Sequence, residues 1–360
     1  MHLAGFTTQL TTKSRLPTLD LDCFVFGEVF SDHMFCMDYK NGSWRDGEIL
    51  PYGPIAMEPG SMVLHYAQMA FEGLKAFRGD DNVLRLFRPD RNARRLRASC
   101  ERMCIPAIDE DLFVAAIEQL VQIDRGWVSD RAGHALYIRP LVFSTEPHLE
   151  VRPSRAFRFI VLTCPVGGYF DGGRSGLSLK VEENFARTAP EGGVGACKTA
   201  ANYATTFQSG SQSRADGFDQ VLWLDGAQHC YIEEAGLMNV FFKIEGTVVT
   251  PALNGAILPG VTRDSVITIL HDREIPVEER QITIEEVAKA AREGSLDEIF
   301  ATGTAVSVAP VASLNFRSEK LLPSVASPGP VTNQLFEHLT GIQYGRLPDN
   351  HRWTHIIQAG

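Results

Sequence analysis

The feature that most limits how this chain folds is a glycine-rich stretch near its middle. Residues 167–173 have the sequence Gly-Gly-Tyr-Phe-Asp-Gly-Gly. Glycine loses more conformational freedom on folding than other residues, so this run is typical of a linker between folded units. A chain of 360 residues also holds enough material for more than one core. The sequence therefore predicts two domains, 1–165 and 179–360, joined by an interdomain loop at 166–178.

The net charge and the cysteine spacing indicate which partners and metal sites this protein is expected to lack. A formal net charge of -10 and a pI near 5.5 disfavour nucleic acid and anionic membranes as partners, because both attract Lys and Arg. No apolar run approaches the roughly 18 residues of a membrane span. The seven cysteines form no CxxC pair and have no zinc-like spacing with histidine. We expect a cytoplasmic protein without a metal site that acts on small molecules.

Both halves combine predicted strands and helices. Apolar residues recur at helical spacing over Leu112–Ile123, with Asp109 and Asp111 as candidate caps. The other elements expected in the first half are Phe24–Val29, Met34–Asp38, a helix at Leu64–Phe71, Leu84–Phe87, Arg91–Met103, Ala135–Val142 and Arg158–Cys164. In the second half we expect strands at Asp219–Leu224, Met238–Lys243, Thr247–Thr250 and Glu298–Thr302, and helices at Thr199–Ser209, Thr262–Leu270 and Ile284–Arg292. The pattern predicts a two-domain fold of the α+β and α/β type.

Lys198 ends the most informative segment, Gly-Gly-Val-Gly-Ala-Cys-Lys. Glycines before a lysine suggest a phosphate-binding P-loop, but Cys197 stands where that motif requires its last glycine. A lone lysine is usually a solvated surface residue. Here the small neighbours leave room for a flat ring, and Tyr203 follows five residues later. A lysine in an enclosed site loses part of its preference for the charged form, and only a neutral amine attacks an aldehyde.

Further segments contain candidate anion and acid groups. Glu233 and Glu234 precede an apolar strand, which most often means a solvated strand end. The arginine-dense 91–97 segment predicts a solvated helix face, although one guanidinium fork can clamp a phosphate. The Pro259-Gly260 turn runs into a predicted helix, so amides at that helix start form a candidate anion site, to which Thr304 could add a hydroxyl.

Taken in order, these motifs resemble the branched-chain aminotransferases, which are fold type IV enzymes that use pyridoxal 5′-phosphate (PLP). The resemblance runs through FEGLKAFRG, YIRP, GGVGACK, EEAGLMN, LNGAILPGVTR, TGTA and the near-terminal IQYG. It implies a D-amino-acid-aminotransferase-like fold. It also implies reversible transamination of leucine, isoleucine and valine with 2-oxoglutarate by a homodimer.

Carried over residue by residue, the resemblance implies a role for each matched position. Lys198 would form the Schiff base with PLP and shuttle a proton, and Glu234 would pair with the pyridine nitrogen, which makes the ring an electron sink. Arg95 would bind the phosphate. Other cofactor contacts would come from Tyr203, Leu258, Val261, Thr262 and Thr304. Substrate contacts would come from Phe26, Tyr66, Phe71, Tyr137, Arg139, Leu237 and Ala305, with Tyr169 as a lid and Leu149 and Val151 reaching the partner's pocket.

Two positions depart from the family pattern and leave the substrate open. Leu237 stands where the family usually has Thr or Gly, and Glu150 replaces a small residue in the partner loop. A specialised member that acts on a related hydrophobic or modified amino acid is one alternative. D-amino-acid transamination and aminodeoxychorismate lysis keep the fold and change the chemistry, and a catalytically dead binding protein is the non-enzymatic alternative. The presence of both Lys198 and Glu234 argues against the last of these.

Overall fold

The computed structural model describes residues 6–19, 25–168 and 176–358. The chain forms two compact units. The first comprises Met1–Gly168, Cys197–Ala200 and Gly341–Gly360, and the second comprises Tyr169–Ala196 and Ala201–Thr340. The domain limits derived from the sequence stay a prediction, and they did not anticipate that the lysine segment and the last residues belong to the first unit.

The first unit is built on a mainly antiparallel sheet covered by helices. Its strands up to the interdomain region are β1 (Thr7–Thr8), β2 (His33–Lys40), β3 (Ser43–Trp44), β4 (Glu48–Pro51), β5 (Met69–Phe71), β6 (Leu74–Arg78), β7 (Leu84–Phe87), β8 (Ala135–Ser144) and β9 (Phe157–Val166). Its helices are α1 (Met62–Tyr66), α2 (Pro89–Arg102) and α3 (Glu110–Ile123), with 3-10 turns at Leu16–Thr18 and Arg125–Trp127. Helix α3 begins where predicted, because the Asp109 side chain accepts the N–H of Asp111 and of Leu112, each at 3.0 Å.

The second unit contains a closed barrel. Its strands are β10 (Leu177–Glu182), β11 (Gln220–Leu224), β12 (Ile232–Ala235), β13 (Met238–Ile244), β14 (Thr247–Thr250), β15 (Val277–Glu279), β16 (Leu296–Gly303), β17 (Ser307–Phe316) and β18 (Glu319–Leu321). Its helices are α4 (Ala201–Ala204), α5 (Phe207–Ala215), α6 (Val261–Asp272), α7 (Ile284–Glu293) and the part of α8 (Pro330–Gln343) up to Thr340. The order β12-β11-β10-β17-β16-β13 closes on itself through the β12–β13 pairing. Closure leaves these six strands without a free edge.

Each unit has its own apolar core. In the first, Phe35, Phe159 and Leu120 are fully buried between the sheet and α3. In the second, Leu179, Val240 and Ala309 on the barrel strands are fully buried in a core that also includes side chains of α7. The last strand, β19 (Thr354–Ile357), pairs antiparallel with β7, and this pairing ties the end of the chain into the first sheet.

Three element predictions were wrong. The helix expected at Leu64–Phe71 stops at Tyr66, because Ala67 adopts a left-handed conformation (φ 50°) and the chain then enters β5. The helix expected at Thr199–Ser209 is divided into α4 and α5. Residues 25–29 of the predicted element Phe24–Val29 form a turn, while Phe24 lies outside the described residues. In the first case the pairing of β5 with β8 overrides the local helical pattern. Among the described residues, no helix has the length and apolar character needed to cross a bilayer.

Candidate active site

The backbone of Lys198 is held from both sides. Its N–H donates to Ser99 Oγ on α2 at 3.0 Å, and its carbonyl accepts the N–H of Phe71 at 2.9 Å. Next to it, Thr199 Oγ1 donates to the Met69 carbonyl at 2.6 Å. The lysine segment therefore lies along β5, and its position is independent of its own side chain.

The Lys198 amine lies beside a cluster of aromatic and basic groups. Its Nζ is 5.0 Å from the centroid of the Phe71 ring, and the Arg139 guanidinium carbon is 4.7 Å from the same ring. Arg139 Nη2 also donates to the Tyr137 hydroxyl at 2.9 Å, and Phe26 packs edge-on against Tyr137 with ring centroids 5.0 Å apart. Four residues predicted to contact substrate are thus brought together around the predicted catalytic lysine.

Arg95 is paired with Glu72, a residue of the FEGLKAFRG motif for which the sequence predicted no role. Nε and Nη2 of Arg95 donate to the two carboxylate oxygens at 2.7 and 2.8 Å, and Asn92 Nδ2 adds a bond of 2.8 Å. Burial by itself raises the pKa of Glu72, but the charge and hydrogen bonds of Arg95, with Lys198 and Asn92, bring that pKa below its usual value. Glu72 is therefore a buried anion that fixes the orientation of Arg95.

The glycine loop of the second unit requires its glycines for close packing. A Cβ on Gly195 would lie 2.2 Å from the Ala256 carbonyl oxygen. The N–H of Ala196 donates to the Gly255 carbonyl at 2.9 Å, and Asn202 Nδ2 donates to the Val194 carbonyl at 2.8 Å. Tyr203 follows on α4 as a half-buried side chain.

Glu234 is buried and ion-paired, not solvated as a strand end would be. Its Oε2 lies 2.7 Å from Arg187 Nη2, and both side chains are 4% exposed. Its Oε1 accepts from Asn239 Nδ2 at 3.2 Å and from the N–H of Leu258 at 3.3 Å. A buried carboxylate loses its hydration, and an ion pair together with hydrogen bonds compensates for that loss. Neither Arg187 nor Asn239 was identified from the sequence.

Two turns of the second unit contain predicted cofactor contacts, one at the start of α6 and one between β16 and β17. Gly260 caps α6, whose first residues are Val261 and Thr262. A Cβ on Gly260 would lie 2.1 Å from Asn239 Oδ1, so the turn packs directly on the group that supports Glu234. Thr304 and Ala305 lie in the turn between β16 and β17.

The remaining predicted residues are exposed or lie outside the described part of the chain. The exposed Tyr66 donates from its hydroxyl to the Leu149 carbonyl at 2.5 Å. Leu149, Val151 and Leu237 are exposed as well. Tyr169, the predicted lid, lies outside the described residues.

Comparison with known proteins agrees with the motif pattern. A family model described as Amino-transferase class IV matches residues 69–314. Branched-chain-amino-acid aminotransferase 2 of Bacillus subtilis (strain 168) is 44% identical over 349 residues, which cover 97% of this chain and 96% of that protein. Branched-chain-amino-acid transaminase 1 of the same organism is 46% identical over 331 residues, covering 91% and 93% respectively.

Solved structures share the fold. The T.th. branched-chain amino acid aminotransferase with pyridoxamine 5′-phosphate has a TM-score of 0.73 at 26% identity, covering 89% of this chain and 98% of that one. The Escherichia coli branched-chain amino acid aminotransferase has a TM-score of 0.76 at 24% identity, covering 91% and 99%, and it supports the fold alone. The predicted resemblance and the fold type IV architecture are confirmed, and the chain belongs to the class IV aminotransferase family, among relatives that are branched-chain-amino-acid aminotransferases.

Proposed function

We propose that this protein catalyses the PLP-dependent, reversible transfer of an amino group between L-leucine, L-isoleucine or L-valine and 2-oxoglutarate. Relatives at 44% and 46% identity with branched-chain names support this function. The observation that carries it is the placement of Lys198, whose backbone is fixed to α2 and β5 and whose amine lies against Phe71 beside Arg139.

The residues present fit PLP. When bound, PLP supplies an aldehyde for the amino group and a pyridinium ring that withdraws electrons from the substrate α-carbon. Glu234, which is ion-paired with Arg187, is the group that would hold the pyridine nitrogen protonated. Arg95 directs its Nε and Nη2 toward Glu72, which orients the guanidinium, and we propose that its other N–H groups donate to phosphate oxygens. The further contacts we propose come from the backbone at the start of α6 (Val261, Thr262), the Thr304 hydroxyl, the Tyr203 hydroxyl and the Leu258 side chain.

Lys198 would serve as both nucleophile and proton carrier. Its Nζ would be the amine that holds PLP covalently, and in the presence of substrate the same amine would take the proton from the substrate α-carbon and carry it toward C4′. The anchored backbone on either side limits the amine to the motion of its own four-carbon chain. That restriction keeps the amine close to the atoms between which the proton moves.

The residues proposed to contact substrate would select among amino acids by the shape of the substrate side chain. Phe26, Phe71 and Tyr137 present apolar ring surface to a branched side chain that has no polar group. Arg139, which is held against Phe71 and Tyr137, is the cation we propose for the distal carboxylate of glutamate. The same space could then accept an apolar and an acidic side chain in turn.

A substrate panel tests the proposed function. With 2-oxoglutarate as acceptor, we expect L-leucine, L-isoleucine and L-valine to be used with kcat/KM values within about two orders of magnitude of each other, because one methylene contributes only about 1–3 kcal/mol. Glutamate formation is the measurement. D-alanine is the control and should give no product. Activity on D-alanine without activity on L-leucine would replace this function with D-amino-acid transamination.

The role proposed for Arg95 can be tested with a conservative change. Arg95→Lys keeps the charge but loses the fork that donates to both Glu72 oxygens, so we expect PLP to bind about tenfold or more weakly. Titration of the apoenzyme with PLP, followed by absorbance, measures this. Arg94→Lys is the matched control, since its exposed side chain is the neighbour on the same helix. Equal PLP affinity in both variants would remove Arg95 from the phosphate site.

We also propose a homodimer in which Leu149 and Val151 contact the partner subunit. Both are large apolar side chains exposed on one loop of the first unit, as expected for residues covered in an assembly. Sedimentation equilibrium tests this: a monomer at micromolar concentration contradicts it. The cytoplasmic location stays a prediction, which rests on seven cysteines that form no CxxC pair.

A further inference from the structure

The second unit contains a small cavity beside β12, which is lined by both polar and apolar groups. Its volume is about 220 Å³. Loop segments on either side of β11 and after β14 form its wall. The lining comprises residues 190–191, 225–228, 231–233, 251–252, Asn254, Ile257 and Gln281.

Glu233 lies in the wall of this cavity without an ion pair to any described residue. The residue is 2% exposed, and its Oε2 has no hydrogen-bond partner among the described residues. Its neighbour Glu234 projects to the other side of the strand, where it is paired with Arg187. Burial raises the pKa of Glu233 to about 7, since desolvation exceeds the attraction of Arg187. A bound cation would supply the compensation that this buried carboxylate lacks.

The other carboxylates of the cavity are already satisfied or lie at its rim. Asp225 accepts four backbone N–H groups, those of Ala227, Gln228, Cys230 and Tyr231, at 2.7 to 3.1 Å. Glu191 is exposed to solvent. Within the described parts of the chain, no group of three acidic, histidine or cysteine side chains could hold a metal ion. The cavity therefore offers one buried carboxylate with an oxygen that lacks a hydrogen-bond partner among the described residues, which matches a monovalent cation better than a divalent one.

The rest of the lining supplies neutral oxygens. Gln228, Asn254 and Gln281 carry amide oxygens, and Tyr231 carries a hydroxyl. We propose that this cavity binds a small monovalent cation, potassium or ammonium, with the Glu233 carboxylate as its charged ligand. Both ions need several oxygen acceptors and a single counter-charge, and both fit the volume with a few retained waters.

The charges facing Glu233 predict how binding depends on pH. Arg187 attracts its carboxylate, whereas Glu234 on the same strand and Asp225 after β11 repel it, and Glu191 adds negative charge at the rim. A proton and the cation therefore compete for Glu233. Because the pKa of Glu233 is about 7, the cation should bind weakly at pH 6 and more tightly at pH 8.

Crystals of the PLP-loaded enzyme soaked in thallium(I) acetate give a direct test, since thallium(I) replaces potassium and scatters anomalously. We expect an anomalous peak in the cavity beside the Glu233 carboxylate and none in Glu233→Gln. An empty cavity in the unchanged enzyme, or an unchanged peak in Glu233→Gln, overturns the proposal.

A solution measurement separates the two ions. At constant ionic strength, potassium or ammonium acetate in place of choline acetate should raise the Tm of the holoenzyme saturably, by about 2–4 °C at pH 8 and less at pH 6. The ion with the lower half-saturating concentration is the preferred ligand. Glu233→Gln should abolish the shift, and Glu191→Gln should keep it. Equal Tm values in all three salts, or a shift that survives in Glu233→Gln, contradict the site. Neither readout involves transamination, so failure here leaves the proposed function untouched.

Discussion

Replacing Lys198 with alanine is expected to lower kcat at least about a thousandfold, since the change removes both the nucleophile and the proton carrier. The visible absorbance that PLP gains when linked to a lysine should also disappear. The fold should survive, because the Lys198 contacts to Ser99 and Phe71 are made by its backbone, which alanine retains. Steady-state transamination rates and an absorbance spectrum of the purified protein measure both effects.

Lys289→Ala is the matched control for this prediction. Its side chain is 72% exposed on α7, and its Nζ lies 3.9 Å from Glu293 Oε1. An exposed ion pair of this kind contributes little to stability. We expect its rate and its absorbance to equal those of the unchanged enzyme. Turnover of Lys198→Ala at the unchanged rate would place the chemistry on another residue.

Replacing Arg187 with alanine is expected to give the largest loss of stability among single changes at the site, about 3–5 kcal/mol in the free energy of unfolding. The reason is that the Glu234 carboxylate would stay buried without the cation that compensates for its lost hydration. Arg187 also bonds the Ala256 carbonyl at 3.0 Å, and that carbonyl packs on the glycine loop. Urea unfolding of the apoenzyme measures the change without any contribution from PLP.

Two further variants test whether the buried charge is the cause. Arg292→Ala breaks an exposed pair with Glu319, whose side chains are 50% and 42% exposed, and should change stability by less than about 1 kcal/mol. Adding Glu234→Gln to Arg187→Ala removes the orphaned charge and should restore part of the lost stability. If the double variant is no more stable than Arg187→Ala, lost packing and not charge explains the effect.

The sequence could single out candidate chemical groups because they sit in short ordered motifs, and their roles stay predictions. Lys198 follows small residues and Glu234 precedes a glycine turn, and the spacing between such motifs is a property of the chain itself. The cap of α3 by Asp109 and the start of α6 after Gly260 were also predictable, since these are local interactions within a few residues.

The supporting groups could not be predicted in this way. Arg187 lies 47 positions before Glu234, and nothing in the local pattern around it distinguishes it from a solvated arginine. Glu72 lies inside a recognised motif, but its partner Arg95 is separated from it by two strands and a turn. Helix boundaries failed at Ala67 because strand pairing further along the chain decides where α1 ends.

The two adjacent acids show where sequence information ends. By itself, the sequence determined that Glu233 and Glu234 precede an apolar strand, and that one acid before a glycine turn matches the family pattern. Only the tertiary structure decided that Glu234 pairs with Arg187, while Glu233 has an oxygen without a partner among the described residues. The physical reason is that a side chain's charge balance depends on groups brought near it by folding, and strand alternation sends neighbouring residues into different surroundings.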